Sequence, residues 1–135
     1  MTSSPTNIVF VCQKNGGKSQ MAAALLRSVA GPEVHVTSAG TKPGAALNQQ
    51  SVDSLAEIGV SVGDEHPKQL MPEMIDAADL IVVLGAEARV PETAGVLIET
   101  WITDEPSERG IEGMDRMRLV RDDIRARVEV LHARI

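Results

Sequence analysis

A three-layer α/β/α fold, with helices on both faces of a four-stranded parallel sheet, is what this 135-residue sequence predicts. Three observations lead there. Apolar runs of strand length alternate with segments whose apolar residues recur at helical spacing. The run Ala78-Asp79-Leu80-Ile81-Val82-Val83-Leu84-Gly85 carries almost no polar alternation, as expected of a parallel strand covered on both faces. The length fits one domain, residues 1–135, large enough to bury a single core without disulfide or metal staples.

Taken in order, Ile8-Val9-Phe10-Val11 reads as the first buried strand. Met21, Leu25, Leu26 and Val29 then mark a helix that Gly31-Pro32 ends. Val34-His35-Val36-Thr37 is a second strand closed by Ser38-Ala39-Gly40, and Val52, Leu55 and Ile58 mark a helix that stops at Gly59. Met71-Pro72-Glu73 opens a short helix before the strand at 78–85. Val96-Leu97-Ile98 is a weaker strand leading to Trp101. Met114, Met117, Val120, Ile124, Val128 and Leu131 step by three or four residues along one face of a long C-terminal helix. The arginines of that helix, Arg116, Arg118, Arg121, Arg125 and Arg127, alternate with acids such as Asp122 and Asp123 and read as a solvated face.

Composition excludes several functions. A net charge of -6 with both signs mixed along the chain leaves no electrostatic footprint for nucleic acid or an anionic membrane. One Phe, one Trp and no Tyr make base stacking a poor prospect and the core aliphatic. No run approaches the roughly 20 apolar residues of a membrane span, and the Met1-Thr2-Ser3-Ser4-Pro5-Thr6 start lacks the pattern of a secretory signal. One cysteine cannot form an internal disulfide, so a cytoplasmic protein is expected and any second sulfur must come from outside. His35, His66 and His132 lie far apart, without metal-ligand spacing.

The first strand runs into Cys12-Gln13-Lys14-Asn15-Gly16-Gly17-Lys18-Ser19, directly before a helix. Gly17-Lys18-Ser19 matches the end of the nucleotide-binding P-loop pattern, but Cys12 occupies the place of its first glycine. Ligands of parallel α/β folds bind beyond the carboxyl ends of the strands, and Cys12 is the first such end. Backbone N–H groups between a strand and a helix N-terminus form a concave nest for an anion, to which the helix dipole adds roughly half a positive charge. That field favours thiolate over thiol and makes Cys12 a candidate nucleophile. Gln13, Lys14, Asn15, Gly16, Gly17, Lys18 and Ser19 are the candidate oxyanion-binding residues. Gly16 and Gly17 permit the tight turn, Asn15 tolerates left-handed backbone, Lys18 adds a full charge and the Ser19 hydroxyl can donate to the sulfur. Taken singly, each residue has a plainer reading: Cys12 a small buried hydrophobe, Lys18 a solvated cation, Asn15 and Ser19 a turn residue and an N-cap.

Cys12, Asn15, Ser19 and the following Gln20-Met21-Ala22 resemble the active-site loop of the low-molecular-weight protein tyrosine phosphatase superfamily, in which a cysteine, five residues and an arginine precede serine or threonine. The Ser19-Gln20-Met21-Ala22 ending is similar to its arsenate reductase branch. Lys18 stands where the family usually carries arginine, and an ammonium lacks the planar fork that grips two oxygens at once. Ser38-Ala39-Gly40-Thr41, the strand at 78–82 and an acidic residue near proline also resemble the family in order and spacing. The family takes its general acid from an Asp-Pro loop, which implies Asp104 of Asp104-Glu105-Pro106, with Glu105 as the alternative. Asn15-Gly16-Gly17-Lys18-Ser19, Gly85-Ala86-Glu87-Ala88 and Thr103-Asp104-Glu105-Pro106-Ser107-Glu108-Arg109-Gly110 are similar to the mycothiol-dependent arsenate reductases, or arsenate-mycothiol transferases.

That resemblance implies arsenate detoxification in the cytoplasm. Cys12 would attack arsenate, Lys18 would contact the oxyanion, and the arsenic would pass to mycothiol as co-substrate, with mycoredoxin reducing the adduct downstream. No metal or bound cofactor is implied. Two rival readings are a phosphatase acting on small phosphoesters, to which the missing tyrosines and Lys18 are ill suited, and a non-catalytic oxyanion-binding regulator. Trp101 is expected in the core or in a pocket wall.

Overall fold

The computed structural model describes residues 6–135; the reading that the start carries no secretory signal falls mainly on residues outside that range. Four strands, β1 (Thr6–Cys12), β2 (Val34–Gly40), β3 (Leu80–Leu84) and β4 (Leu97–Trp101), form one sheet in the order β2-β1-β3-β4. All pairings are parallel, with Phe10 opposite Ser38 on one side and Val82 on the other. The helices are α1 (Lys18–Val29), α2 (Gln49–Ala56), α3 (Pro72–Ala77) and α4 (Gly113–Arg134), and a 3-10 turn spans Pro106–Arg109.

Alternation along the strands sorts the core into two layers. Ile8, Phe10, Val36, Val82 and Leu84 face α1, α2 and α4, where they meet Met21, Leu26, Leu55, Ile124 and Leu131. Val9, Val11, Ile81 and Val83 face the opposite side and are covered by Ala78, Ala88, Leu70, Met74 and Ile75. Central strands buried on both faces therefore read as unbroken apolar runs. The two aromatic rings meet inside the first layer, Phe10 and Trp101 lying 5.8 Å apart at a tilt of 56°. The Trp101 indole N–H donates to Glu99 at 2.9 Å, so this residue is core with a polar tether.

The C-terminal helix packs by Met117, Val120, Ile124, Val128 and Leu131, the stripe its spacing predicts. Its arginines are not uniformly solvated. Arg121 is buried and its guanidinium donates to the Ser54 carbonyl at 2.9 Å and to Glu57 at 2.8 Å, while Arg118 grips the same Glu57. The end of α2 is thereby tied to α4. The mixture of signs hid this, because a buried arginine and a solvated one have the same letter.

Boundaries differ where a polar or flexible residue intervenes. The third strand begins at Leu80 because the Asp79 carboxylate turns back to accept the Asn7 amide at 2.7 Å. The second helix closes at Ala56, and Ile58 follows in a turn whose Gly59 has φ +77°. Val29 is half exposed at the last position of α1, outside the core to which its spacing assigned it. No helix among the described residues is long and apolar enough to cross a membrane.

Ile124 is fully buried on α4, whereas Val130 on the same helix is 65% exposed. Ile124→Ala is expected to lower the unfolding free energy by about 2–5 kcal/mol, and Val130→Ala by no more than about 0.5 kcal/mol, as read from urea denaturation.

Candidate active site

The strand order places β1 centrally, with the chain leaving it toward β2 on one side and later toward β3 on the other. The crevice at the carboxyl end of β1 is thus a topological switch point. Cys12 ends β1 there, and α1 begins at Lys18 with its N-terminus turned toward the loop between them.

The backbone of that loop is sorted by its neighbour. The carbonyls of Cys12, Gln13, Lys14 and Gly16 accept from the amides of Thr41, Lys42, Gly44 and Asn48 at 3.2, 2.8, 2.9 and 2.7 Å. With its oxygens spent on the 41–48 segment, the loop has its N–H groups left for another acceptor. The two segments approach so closely that a Cβ on Gly40 would lie 2.7 Å from the Gln13 carbonyl oxygen. Only glycine fits there. At Asn15 the chain takes φ +52°, the left-handed turn its side chain tolerates.

A chain of hydrogen bonds ends on the sulfur. The Asn15 amide donates to Cys12 Sγ at 3.2 Å, and Ser19 Oγ lies 2.8 Å from the same atom. The Asn15 side-chain amide donates to Ser19 Oγ at 2.8 Å. With one lone pair taken by Asn15, the Ser19 hydroxyl has its own proton free to donate to Cys12 Sγ when the sulfur is a thiolate. Asn15 is in turn fixed by Gln20 Nε2 and the Lys68 amide, which donate to its Oδ1 at 3.0 and 3.1 Å. Gln20 also donates to the His66 carbonyl at 3.1 Å, joining the loop to the 66–68 segment. Asn15, Ser19 and Gln20 are all buried. The sequence pointed to Asn15 and Ser19, but Gln20, Lys68 and the 41–48 segment are recognisable only once the fold brings them together.

The charged groups are distributed differently from the expectation. Lys18 Nζ bonds the Glu105 carboxylate at 2.9 Å, and Arg116, from the first turns of α4, reaches the same carboxylate at 3.1 Å. Ser107 Oγ donates to it at 3.2 Å. The hydrogen bond from Lys18, opposed by burial and reinforced by Arg116, holds Glu105 below the usual glutamate range. Asp104 turns elsewhere. Its carboxylate is gripped by both Arg109 nitrogens at 2.8 and 3.0 Å, and that bond, against a smaller desolvation cost, holds it below the usual aspartate range. Of the two adjacent acids, Glu105 is the one beside the Cys12 loop. A cleft of about 620 Å³ opens along the loop's outer flank, bounded by Lys14, Lys18, Lys42, Arg116, Met117 and Val120 among others. Arg116, which the sequence assigned to a solvated face, is a wall of that cleft.

The family model for the low molecular weight phosphotyrosine protein phosphatases matches residues 7–135. An arsenate reductase of Bacillus licheniformis is 30% identical over 134 residues, covering 93% of this chain and 94% of that protein. A putative arsenate reductase of Halobacterium salinarum is 26% identical over 130 residues, covering 93% of this chain and 89% of that one. Among solved structures, the thioredoxin-dependent arsenate reductase Cg_ArsC1' of Corynebacterium glutamicum superposes with a TM-score of 0.84 at 30% identity and covers 99% of this chain. The present chain spans 63% of the length of that one.

Two outcomes follow from this geometry. Ser19→Ala removes the hydroxyl donor from the sulfur, and iodoacetamide alkylation of Cys12 at neutral pH is expected to slow roughly tenfold, the scale of one hydrogen bond to a charged group. Because Glu105 is depressed in the folded chain, the stability it contributes is fully present above its unfolded value and is lost as pH falls through the lowered folded one. Melting temperature against pH should therefore fall less steeply across the acid limb in Glu105→Gln than in the native chain, by a small margin since the pair is partly solvated.

Proposed function

The chain belongs to the low molecular weight phosphotyrosine protein phosphatase family, in its arsenate reductase branch, and on that premise we propose that it reduces arsenate by passing arsenic from Cys12 to mycothiol. The observation that carries the reading is a sulfur count joined to a geometry. Cys12 is the one cysteine of the sequence, and its Sγ lies where a loop amide and the Ser19 hydroxyl both meet it.

Arsenate docks with its oxygens on the loop amides and Lys18. The Cys12 thiolate attacks arsenic, so that a sulfur–arsenic bond forms as an arsenic–oxygen bond breaks and the oxygen leaves as water. Negative charge growing on the remaining oxygens meets donors already in place, an effect of roughly 3 kcal/mol per donor in enzymes where it has been measured. We assign the proton for the departing oxygen to Asp104, which must first leave Arg109, turn toward the Cys12 loop and take up a proton from solvent.

The second step needs another sulfur. Within this fold, resolution through thioredoxin uses further cysteines to close an internal disulfide, and this sequence has none. Mycothiol's thiolate instead displaces Cys12 from arsenic, leaving an arseno-mycothiol adduct and the free enzyme thiolate. Arsenic is still pentavalent at this point. A mycoredoxin thiolate then attacks the mycothiol sulfur: a sulfur–sulfur bond forms as the sulfur–arsenic bond breaks, and the electron pair of the broken bond stays on arsenic, which leaves as arsenite beside a mycoredoxin–mycothiol mixed disulfide.

The test is arsenite release by the native chain with mycothiol and mycoredoxin, set against thioredoxin and its reductase. Turnover is expected with the first pair alone and is abolished in Cys12→Ser. Turnover sustained by thioredoxin without a small thiol would sink the mycothiol route, and Asp104→Asn at native rate would transfer the proton to Glu105.

A further inference from the structure

The carboxylate of Glu105 is held in a way that deepens the oxyanion-site reading on which this inference rests. An ammonium from the Cys12 loop, a guanidinium from α4 and the Ser107 hydroxyl converge on it, at 2.9, 3.1 and 3.2 Å. Three donors from three separate elements around one acceptor anion make a binding position, and its present occupant is the protein's own side chain. Lys18 and Arg116 each expose about a quarter of their side chains and both border the cleft beside the loop, whereas Glu105 is about a third exposed, hanging from a segment that leads into a 3-10 turn.

The loop lacks the planar fork that would hold two oxygens of a tetrahedral anion, since position 18 is lysine. Arg116 brings a planar guanidinium to the same carboxylate from another helix, its Nη2 lying 3.4 and 3.1 Å from the two Glu105 oxygens. We propose that Lys18 and Arg116 together form the clamp of an oxyanion subsite, and that Glu105 is its resident occupant, displaced when arsenate or phosphate binds. A monoanionic carboxylate shared by two cations leaves one positive charge unbalanced, and a dianionic oxyanion balances both. The exchange is thus favoured for a tetrahedral dianion over a monoanion such as chloride or nitrate.

Arg116 is in this reading a substrate-binding residue, and Glu105 is a competitor. The two make opposite contributions to affinity, which separates this inference from one in which Glu105 only braces Lys18.

Inorganic phosphate is the probe, titrated calorimetrically into the full chain at neutral pH and low salt, with nitrate as the control anion. Arg116→Ala should weaken phosphate binding about tenfold and Glu105→Gln should tighten it by a similar factor, on the scale of one charge-assisted hydrogen bond lost or one competitor removed. Arg116→Lys, which keeps the charge and loses the fork, should recover only part of the loss and serves if the alanine variant misfolds. In the native chain, the side-chain carboxyl 13C resonance of Glu105 should shift toward that of a free carboxylate as phosphate saturates. Phosphate affinity unchanged in both Arg116 variants, or weakened in Glu105→Gln, would overturn the clamp. The readout is equilibrium binding and needs no thiol, so it stands or falls separately from the mycothiol route.

Discussion

Everything at the carboxyl end of β1 depends on one backbone arrangement: the loop after β1 surrenders its carbonyl oxygens to the 41–48 segment and so leaves its amides free to turn inward. Four carbonyls in the loop are bonded outward at 2.7–3.2 Å. The rest follows from that sorting. The amide of Asn15 falls on the Cys12 sulfur, the start of α1 points its unpaired N–H groups and positive dipole at the same space, and Ser19 on its first turn comes within reach of Sγ. Gly40 is a condition of the arrangement, because any larger residue would push the two segments apart.

A second layer of polar contacts keeps the loop from relaxing. Asn15 sits in a left-handed conformation that costs free energy, and persists because its side chain is satisfied on every side, by Ser19, Gln20 and Lys68. Since Gln20 and the 66–68 segment are part of that support, the Cys12 sulfur is braced by residues far from it in sequence. Such a network is buried and nearly complete, the condition under which polar groups in a core stiffen it rather than weaken it.

How much of this could be read beforehand divides along physical lines. The strands and the stripe of α4 were legible because burial on both faces, or on one helical face, leaves a periodic signature in residue type. Cys12, Asn15, Ser19 and the glycines were legible because their chemistry and their spacing lie within a single stretch of the chain. Arg116 and Arg121 were not. Whether an arginine is solvated, buried against Ser54 and Glu57, or turned to Glu105 depends on where its neighbours come from, and those neighbours are 11 to 67 residues away. The same holds for the Asp104-Glu105 pair, whose residue types announce an acid-bearing loop without saying which acid faces the loop of Cys12.

The opposite orientations of those two carboxylates carry a consequence of their own. Asp104 and Glu105 are consecutive, yet one is bound to Arg109 and the other to Lys18 and Arg116. Trp101 and Pro106, both buried, anchor the two ends of this stretch. Inserting or deleting one residue within it would change which side chain meets Lys18 and Arg116 while leaving composition and net charge almost untouched. Segment length, as much as residue type, therefore sets which carboxylate meets the two cations.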